Sequence, residues 1–564
     1  MTAATGLERV SEGRPVRRIR HPLMLAAALA ISAVVLTPIA ALTVIALSGS
    51  GEDWPHLAAN VLPTAAVTTA ALIAMVSAGT ALIGVTAAWL IVAFDFPLRR
   101  LASWALVLPL AVPPYLAAYA FGEFFLFTGP VQSALRAIFG FHTPQDYWFP
   151  DLRTTPGAAF VLTSVLYPYV YLTSRFVFLM QGRNIGDVAR TLGAGPARVF
   201  FRVLLPVARP AIAAGVVLVL METINDIGVA EYLGVRTLTS AIYTTWINRS
   251  SLEGAAQLAM LMLLVVLALL ACEQFARRLQ RFHNARATQL KARPPRTKLK
   301  GFKGLTALAA VAAPVLLGFG VPLWVFGRYA SRRLDYLINA DLGKAFLNSV
   351  LTASVTALLT VSLALFLLYA VRVSRSAPMR SVVRVASVGY ALPGTILGLG
   401  LLFSLAQFDN RIDAIAREYL GFSTGLLLTG SAAAVVLACT IRFLALAEGA
   451  VRSGIEKLPS NLDDAARSLG KSPLGSAVSI LAPLLKPAIL TALVLVFVDT
   501  VKELSATILL RPFGFNTLAT LVYENASRAV VEDGAIAALL IIATATVPVV
   551  LLSRALARDQ DAFL

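Results

Sequence analysis

The sequence is short of charge and of cysteine. Only 14% of its 564 residues are charged, whereas soluble domains carry about 25%. This polar surface is too small to cover a water-facing globule, and a composition that is 58% hydrophobic predicts a polytopic membrane protein. The two cysteines, Cys272 and Cys439, lie far apart in apolar runs. Their spacing excludes a disulfide framework and a cysteine-based metal site.

Long apolar runs fill most of the chain. A spanning helix needs about 20 mostly apolar residues, and about twelve segments meet this length. We therefore expect an all-α polytopic membrane protein. The predicted spans are 22–48, 65–93, 102–122, 156–178, 210–232, 254–275, 304–327, 346–371, 385–407, 423–447, 487–510 and 534–554. The first run is longer than the ~7–15-residue apolar core of a signal peptide, so we expect it to remain as a span.

Lysine and arginine are concentrated in a few connecting segments. The segment from Arg277 to Lys303 carries ten of them and no acid, whereas segment 49–62 has only two acids as charged residues. By the positive-inside rule, both termini and this central segment are expected to face the cytoplasm. The basic residues around Arg332 and Arg333 conflict with the pattern, because they fall on the predicted outer side. We attribute the net charge of +18 to topology and anionic lipid, and we expect no nucleic-acid partner.

A polar stretch occurs twice in the chain, 277 residues apart. Its first copy reads DVARTLGAGPARVFFRVLLPVARPAI from Asp187, and its second reads DDAARSLGKSPLGSAVSILAPLLKPAI from Asp463. Aligning Gly193 with Gly470 matches an acid, an alanine and two prolines without a gap. Each copy predicts two short helices across the membrane face, separated by the glycine, and then a spanning helix.

The repeat divides the chain into two similar halves. Each half has six predicted spans, which return the chain to its starting side, so the two copies are parallel and not inverted. We expect residues 1–275 to form the first repeat, residues 276–303 a basic cytoplasmic linker and residues 304–564 the second repeat.

The duplicated stretches resemble the cytoplasmic signature loop of ABC importer permeases. That loop reads Glu-Ala-Ala, three residues, Gly, nine residues, Ile, one residue and Leu-Pro, and in the family it forms a coupling helix that docks on a separate ATPase subunit. Here aspartate replaces the glutamate in both copies, and Val188, Val203 and Ala482 also depart from the pattern. The resemblance implies ATPase coupling by Asp187, Ala189, Gly193 and Pro206 in loop 179–209, and by Asp464, Ala465, Ala466, Gly470 and Pro483 in loop 448–486.

A finer resemblance extends over nearly the whole chain. GVTAAWL at Gly84, LPLAVPPYLAAYAF at Leu108, METINDIGVAEYLG at Met221 and FVDTVKELSATILL at Phe497 are similar to the fused two-domain permeases of iron(III) uptake systems. This implies a permease subunit of the bacterial inner membrane that moves iron(III). Thiamine, sulfate and phosphonate remain alternative substrates. The implied partners are two ABC ATPase subunits, an extracytoplasmic solute-binding protein and the lipid bilayer.

ATP chemistry is not expected in this chain. The string GKS at Gly470 resembles part of a P-loop, but the required earlier glycine is replaced by Ala465 and no strand precedes it. We therefore expect a transport subunit that is not itself an enzyme and holds no cofactor, with ATP and magnesium bound by the partner ATPases.

Two pairs of carboxylates lie within predicted spans. Glu222 and Asp226 form the first pair, and Asp499 and Glu503 repeat it 277 residues later. At an i, i+4 spacing each pair shares one helix face, and ionisable groups inside a membrane mark candidate functional sites. Lys502 is placed to neutralise part of this set. Three roles stay open: a gate or watery vestibule, direct contact with a hard cation, and capping of helix ends.

Two arginines, Arg175 and Arg442, occupy matching places near the cytoplasmic ends of their spans. We expect them to reach the interface or pair with the coupling loop.

An ion-coupled secondary transporter is the rival function, with the carboxylates as ion sites. An inverted repeat would favour it, whereas this repeat is parallel.

Overall fold

A computed structural model describes residues 22–49, 53–181, 195–278, 296–374, 376–459 and 462–562, which are almost entirely helical. The α-helices are Pro22–Leu47, Asp53–His56, Leu62–Ala93, Arg99–Ala105, Pro114–Phe125, Pro130–Phe139, Thr155–Gln181, Pro196–Val199, Leu205–Asn225, Gly228–Leu233, Leu238–Ile247, Leu252–Arg278, Phe302–Val315, Val321–Arg332, Ala340–Ser374, Ala377–Ala386, Gly394–Leu420, Ala433–Ile455, Leu462–Ser468, Pro473–Ser476, Ala482–Val501, Thr507–Leu510, Leu518–Ser527 and Ala535–Ala562.

Short irregular turns and one strand pair join these helices. π-Helical turns occupy Leu57–Val61, Phe200–Leu204, Leu316–Gly320 and Ala477–Leu481, and 3₁₀ turns occupy Leu108–Ala111, Leu334–Ile338, Ser387–Ala391 and Val531–Gly534. The two-residue strands Phe94–Asp95 and Thr297–Lys298 pair in parallel. This pairing attaches the end of the predicted linker to the first half.

The fold class predicted from the sequence is confirmed. Nine helices within the described ranges are long and apolar enough to cross a membrane, and the count reaches eleven when two bent helix pairs are each taken as one span. The remaining predicted span, 156–178, forms the helix Thr155–Gln181, which is long enough to cross but less apolar than the others. The chain is an all-α polytopic membrane protein.

Two of the predicted spans, 102–122 and 385–407, form sharply bent helix pairs, and the sequence prediction did not include these bends. The chain turns by 97° between Arg99–Ala111 and Pro114–Phe139, and by 108° between Ala377–Tyr390 and Gly394–Leu420. Pro113 occupies the first bend and Pro393 the second, each in an extended conformation. Proline lacks a backbone N–H and disfavours a helical residue before it, so neither helix continues through the bend.

The predicted span 423–447 is also misplaced, since its helix runs from Ala433 to Ile455. The residues before Ala433 are held in a non-helical loop by buried Asp409, which accepts the backbone N–H groups of Leu428 at 3.1 Å and Thr429 at 2.9 Å. These hydrogen bonds satisfy backbone groups that a helix would otherwise pair.

The duplicated spans after the coupling stretches begin and end earlier than predicted. The π turn Phe200–Leu204 runs directly into Leu205–Asn225, and Ala477–Leu481 runs directly into Ala482–Val501. The second short helix that we expected across the membrane face is therefore absent in these ranges, and its residues are the first turns of the span. Pro206 and Pro483 each lie just after a π turn, and a π turn within a helix accommodates a residue that lacks a backbone N–H.

The two halves of the chain interlock. Helix Pro22–Leu47 packs against Gly394–Leu420 and Ala377–Ala386 in the second half, and the Ser32 hydroxyl donates to the Val382 carbonyl at 3.0 Å. In the same way Val321–Arg332 packs against Pro114–Phe125 in the first half. Each half thus contributes its first spanning segment to the other half, and both hydrophobic cores contain residues from both halves.

The basic segment that conflicts with the predicted topology forms ion pairs with another loop. Arg333 lies 2.8 Å from Asp533, and Arg332 lies 3.9 Å from Glu532. Both acids belong to the 3₁₀ turn Val531–Gly534, which is near the end of the chain and far from these arginines in sequence. The structure therefore shows partners for these arginines, whereas the orientation of the termini stays a prediction.

Candidate functional site: a charged cavity between the two repeats

A cavity of about 620 Å³, called here the central cavity, lies between the two halves. Both halves contribute charged side chains to its lining. Those from the first half are Arg175, Glu222 and Asp226, and those from the second half are Arg442, Asp499, Lys502 and Glu503. The five residues predicted as a gate or pathway are therefore brought together in one place.

In the first half the spanning helix ends between the two predicted carboxylates. Glu222 lies in the last turn of Leu205–Asn225, and Asp226 follows in an extended conformation. Asp226 accepts the backbone N–H of Val229 at 2.6 Å, so it caps the next helix. The prediction that the pair shares one face of a continuous helix is wrong, because this capping bond begins a new helix. This hydrogen bond is consistent with the alternative role of Asp226 at a helix end, and the role itself stays a prediction.

The second half repeats this helix break, and here the carboxylates make more hydrogen bonds and ion pairs. Helix Ala482–Val501 ends before Glu503, whose carboxylate accepts the backbone N–H groups of Ala506 at 2.8 Å and Thr507 at 2.9 Å. One turn earlier, the Lys502 ammonium lies 2.7 Å from Asp499. Lys502 therefore neutralises Asp499 and not its neighbour Glu503.

Arg442 is buried in the centre of the molecule. Its guanidinium donates to Glu503 at 2.9 Å, and the two side chains are only 11% and 2% exposed. The expectation that Arg442 reaches the interface or the coupling loop is wrong. The reason is the shifted helix Ala433–Ile455, which places Arg442 near its middle and opposite the break at Glu503.

Asn225 joins the two halves at the inner wall of the cavity. Its side-chain oxygen accepts the Gly394 N–H at 3.2 Å, and its carbonyl accepts the Ser505 hydroxyl at 3.0 Å. Gly394 allows this approach because a Cβ there would lie 2.7 Å from both Arg442 Nη1 and Ser505 Cβ. The breaks of the two repeats are therefore packed on each other.

Aromatic residues of the cavity were missed by the sequence prediction. Tyr115, Tyr169 and Tyr390 line it, and Tyr169 and Tyr390 lie within electrostatic range of Glu222 and Asp499. The tyrosines in LAVPPYLAAYAF could have indicated this cavity. Their hydroxyls lie in an apolar helix directly after two prolines, and buried tyrosine hydroxyls need hydrogen-bond partners.

A second cavity of about 1210 Å³, called here the rim cavity, has Tyr119 in its lining. Glu231 and the tyrosines Tyr232, Tyr243 and Tyr523 line it, so both halves again contribute. Burial raises the pKa of Glu231 above its ordinary value. The Tyr329 hydroxyl donates to a carboxylate oxygen of Glu123, also in this lining, at 2.6 Å.

Only some of the residues predicted to couple to an ATPase lie in the part of the chain that the structure describes. In the first copy, Asp187, Ala189 and Gly193 lie outside the described residues, whereas Pro206 is the second residue of the helix Leu205–Asn225. In the second copy, Pro483 is likewise the second residue of Ala482–Val501.

In the second copy, the short helix Leu462–Ser468 contains Asp464, Ala465 and Ala466. The Asp464 side chain is not among those described; Ala465 is exposed and Ala466 is buried. Leu469 follows at 82% exposure, and Gly470 has a left-handed φ of +79° that confirms the predicted glycine break. The helix therefore ends in an exposed apolar residue and a sharp turn.

Resident metal binding finds no support in the ranges that the structure describes. No group of three or more His, Cys, Asp or Glu side chains there is arranged to hold a metal ion. The central cavity instead offers two carboxylates per half, surrounded by tyrosines and cations.

Two parallel repeats of spanning helices, with a charged cavity at their interface, define a membrane transport protein. Sequence comparison assigns residues 80–287 and 363–561 to one family, described as the binding-protein-dependent transport system inner membrane component. The chain belongs to this family, with two copies of its domain. It is a multi-pass permease of the ABC type, and the family implies ATPase and solute-binding protein partners.

Several curated relatives are similar to the chain. The Fe(3+)-transport system permease protein FbpB 2 of Haemophilus influenzae is 24% identical over 86% of this chain and 88% of its own length. The molybdenum transport system permease protein ModB of Escherichia coli K12 is 31% identical over 34% of this chain and 84% of its own. A putative 2-aminoethylphosphonate permease, PhnU of Salmonella paratyphi A, is 28% identical over 36% of this chain and 69% of its own.

Proposed function

We propose that this chain supplies both transmembrane halves of an importer for iron(III), driven by ATP hydrolysis on two separate ATPase subunits. A solute-binding protein would deliver the ion at the rim cavity. The observation that carries the proposal is the match to a ferric permease along both repeats, over 86% of the chain. The molybdenum and phosphonate permeases match about one third of the chain each, so an oxyanion is the alternative substrate class.

The proposed orientation puts both termini and the segment 276–303 in the cytoplasm, following the distribution of lysine and arginine. The repeats then correspond to residues 1–275 and 304–564. In this orientation loops 179–209 and 448–486 face the ATPases, and the rim cavity opens on the extracytoplasmic side. ATP and magnesium would be bound by the partner chains, and this chain would hold no cofactor.

Coupling is proposed to run through the two duplicated loops. The exposed Leu469 and the sharp turn at Gly470 support this role, because a helix that docks in a groove places apolar side chains against its partner. Helix Leu462–Ser468 is followed by a span that reaches Asp499 at the central cavity. A push on the helix therefore moves a wall of the cavity.

The gate is proposed to be the two helix breaks that meet at the cavity. Glu222, Asp226, Asp499, Lys502 and Glu503 lie at these breaks, where each span ends inside the protein. At a break, backbone groups form hydrogen bonds with capping side chains in place of helical partners. Such a segment therefore changes conformation more readily than a continuous helix.

Uptake by proteoliposomes tests the proposal. The permease is reconstituted with its ATPase, the binding protein loaded with iron(III) is added outside, and ATP is enclosed. We expect ATP-dependent iron accumulation, and no accumulation with molybdate-loaded or phosphonate-loaded binding protein. Accumulation driven by a proton gradient without any ATPase would instead establish the ion-coupled transporter.

A second experiment tests the coupling loop separately. Gly470→Val places a β-branched residue at a left-handed φ, which costs about 1–2 kcal/mol and distorts the turn. We expect the variant to insert normally but to lose substrate-stimulated ATP hydrolysis. Gly470→Asn is the matched control, because asparagine adopts this conformation more easily. Equal ATPase stimulation in Gly470→Val and the wild type would remove this loop from the coupling path.

A further inference from the structure

The duplicated charges of the central cavity are not equivalent in the two halves. Asp499 and Glu503 each have a cation, Lys502 at 2.7 Å and Arg442 at 2.9 Å. The position of Lys502 corresponds to Asn225 in the first half, where no cation is available from the same turn. The second half therefore neutralises its own carboxylates.

The first half leaves its carboxylates open to the cavity. Within the part of the chain that the structure describes, the Glu222 carboxylate makes no hydrogen bond and no ion pair, and it is half-buried at the cavity wall. Asp226 uses one oxygen for the Val229 N–H and pairs with no cation there. Arg175, the counterpart of Arg442, points its guanidinium toward the Ser103 carbonyl and the Tyr171 ring.

An independent observation points to a ligand beside these carboxylates. Tyr115 lines the central cavity, is only 3% exposed, and its hydroxyl has no hydrogen-bond partner in the described structure. The hydroxyl lies within electrostatic range of Asp226 and Glu503. A buried hydroxyl without a partner is unfavourable, unless something that enters the cavity supplies one.

A line of tyrosines continues from this point to the rim cavity. The rings of Tyr115 and Tyr119 are 5.9 Å apart, and those of Tyr119 and Tyr232 are 4.7 Å apart. Tyr115 lines the central cavity, whereas Tyr119 and Tyr232 line the rim cavity. These rings therefore connect the two cavities.

The corresponding positions of the second half carry no tyrosine. Aligning the prolines of the two bends, Pro113 and Pro393, places Thr395 opposite Tyr115 and Leu399 opposite Tyr119. At these two positions the second half has no phenol oxygen, although its Tyr390 lines the cavity on the other side of the bend. The chemical asymmetry therefore includes the carboxylates and the tyrosines that follow the bend.

We propose that the first half alone forms the substrate lane, in which Tyr119, Tyr115, Asp226 and Glu222 bind a hard, multivalent metal cation in sequence. The second half is the neutral wall against which the cation moves. Carboxylate and phenol oxygens are the ligands that such cations prefer. Two carboxylates are too few for a resident metal site, and this suits an ion that must leave as readily as it enters.

The lane rests on the proposed function as a metal importer, and it adds which half carries the ion. It also excludes oxyanions from the lane, because the unpaired charges of the first half are negative. Molybdate or a phosphonate would require unpaired cations at the same positions.

Terbium(III) is the probe for this lane, since it is a hard trivalent cation whose luminescence is sensitised by nearby tyrosine. The full-length permease is placed in nanodiscs of zwitterionic lipid and titrated with terbium chloride. We expect saturable sensitised emission in the wild type. In Glu222→Gln with Asp226→Asn, terbium affinity should fall about tenfold or more, because contacts to two charged ligands are lost.

Tyr115→Phe is the second variant, because it removes one hydroxyl without changing packing and so keeps the test valid if the carboxylate variant fails to fold. We expect weaker binding and reduced sensitised emission. Its matched control is Thr395→Val, which removes a hydroxyl that is also buried without a partner, at the equivalent position of the second half. Glu418→Gln, on an exposed helix surface, controls for loss of charge.

The outcomes separate the lane from the proposed function. Unchanged terbium affinity in the carboxylate variant and in Tyr115→Phe, or equal losses in Thr395→Val and Glu418→Gln, would overturn the lane. Displacement of terbium from the lane by binding of molybdate there would also overturn it. If terbium binds as expected but ATP does not drive iron uptake by the wild type, the lane stands and the importer mechanism fails.

Discussion

At the scale of single residues, the ion pair between Arg442 and Glu503 is the most constrained contact of the cavity. Both side chains are buried, and Glu503 also accepts two backbone N–H groups, so its charge is fully compensated. Taking two charges out of water costs more than an imperfect pair returns. The pair therefore holds the break at Glu503 against the helix that carries Arg442. It fixes the relative position of these two segments and adds little net stability.

Removing one partner of this pair should destabilise the protein strongly. In Arg442→Met the Glu503 charge stays buried without a cation, which costs about 3–5 kcal/mol. The double variant Arg442→Met with Glu503→Gln should recover part of this loss. The measurement is the temperature at which Cys439, a free and buried thiol on the same helix, becomes reactive in a Cys272→Ser background. Equal destabilisation by the single and double variants would contradict this account.

At the scale of elements, one contact between helices is repeated in both halves. The N–H of Leu238 donates to the Thr69 hydroxyl at 2.9 Å, and the N–H of Leu518 donates to the Ser349 hydroxyl at 2.7 Å. Each joins the first turn of a short helix to the long second span of its half. Orphan N–H groups of a helix start need such partners when they are buried.

The two contacts should contribute similar stability. Thr69→Val and Ser349→Ala each leave a buried N–H without a partner, which costs about 1–3 kcal/mol. Thr69→Ser keeps the oxygen and should cost much less. Equilibrium unfolding in mixed micelles with a rising fraction of sodium dodecyl sulfate measures all three. A large loss in one half and none in the other would show that the repeats are not held together in the same way.

At the scale of the whole molecule, the halves are joined by exchanged helices as well as by the linker. Gly400 permits the exchange on one side, because a Cβ there would lie 2.4 Å from the Pro38 carbonyl oxygen. Gly318 does the same on the other side against the Ser164 carbonyl. This exchange places each break of the cavity between helices from both halves.

Two separately expressed halves, 1–275 and 304–564, should therefore assemble in the membrane. We expect the untagged half to co-purify with the tagged half at near-equal amounts. Gly400→Leu should reduce this yield severalfold, because the first helix can no longer approach. Gly449→Leu is the control, since its side chain enters open space. Failure of the wild-type halves to associate would show that the linker, and not the exchanged helices, holds the molecule together.

Much of the fold was predictable from local sequence properties. Apolar runs identified the spans because lipid requires them, and the repeated polar stretch identified the two halves because duplicated segments fold alike. Pro113 and Pro393 were visible as prolines inside apolar runs, but the bends at them were not predicted. The angles of these bends could not be predicted, because the preceding helix is also positioned by its packing against neighbouring spans.

The sequence by itself determined the class of protein, the two repeats and the intramembrane carboxylates, because hydrophobic length and residue spacing are local quantities. Only the tertiary structure decided how the carboxylates are used. The partner of Glu503 is Arg442, 61 residues away, whereas its counterpart Asp226 in the first half pairs with no cation among the described residues. Charge neutralisation depends on distances between helices, and these distances cannot be read from the spacing of residues along one helix.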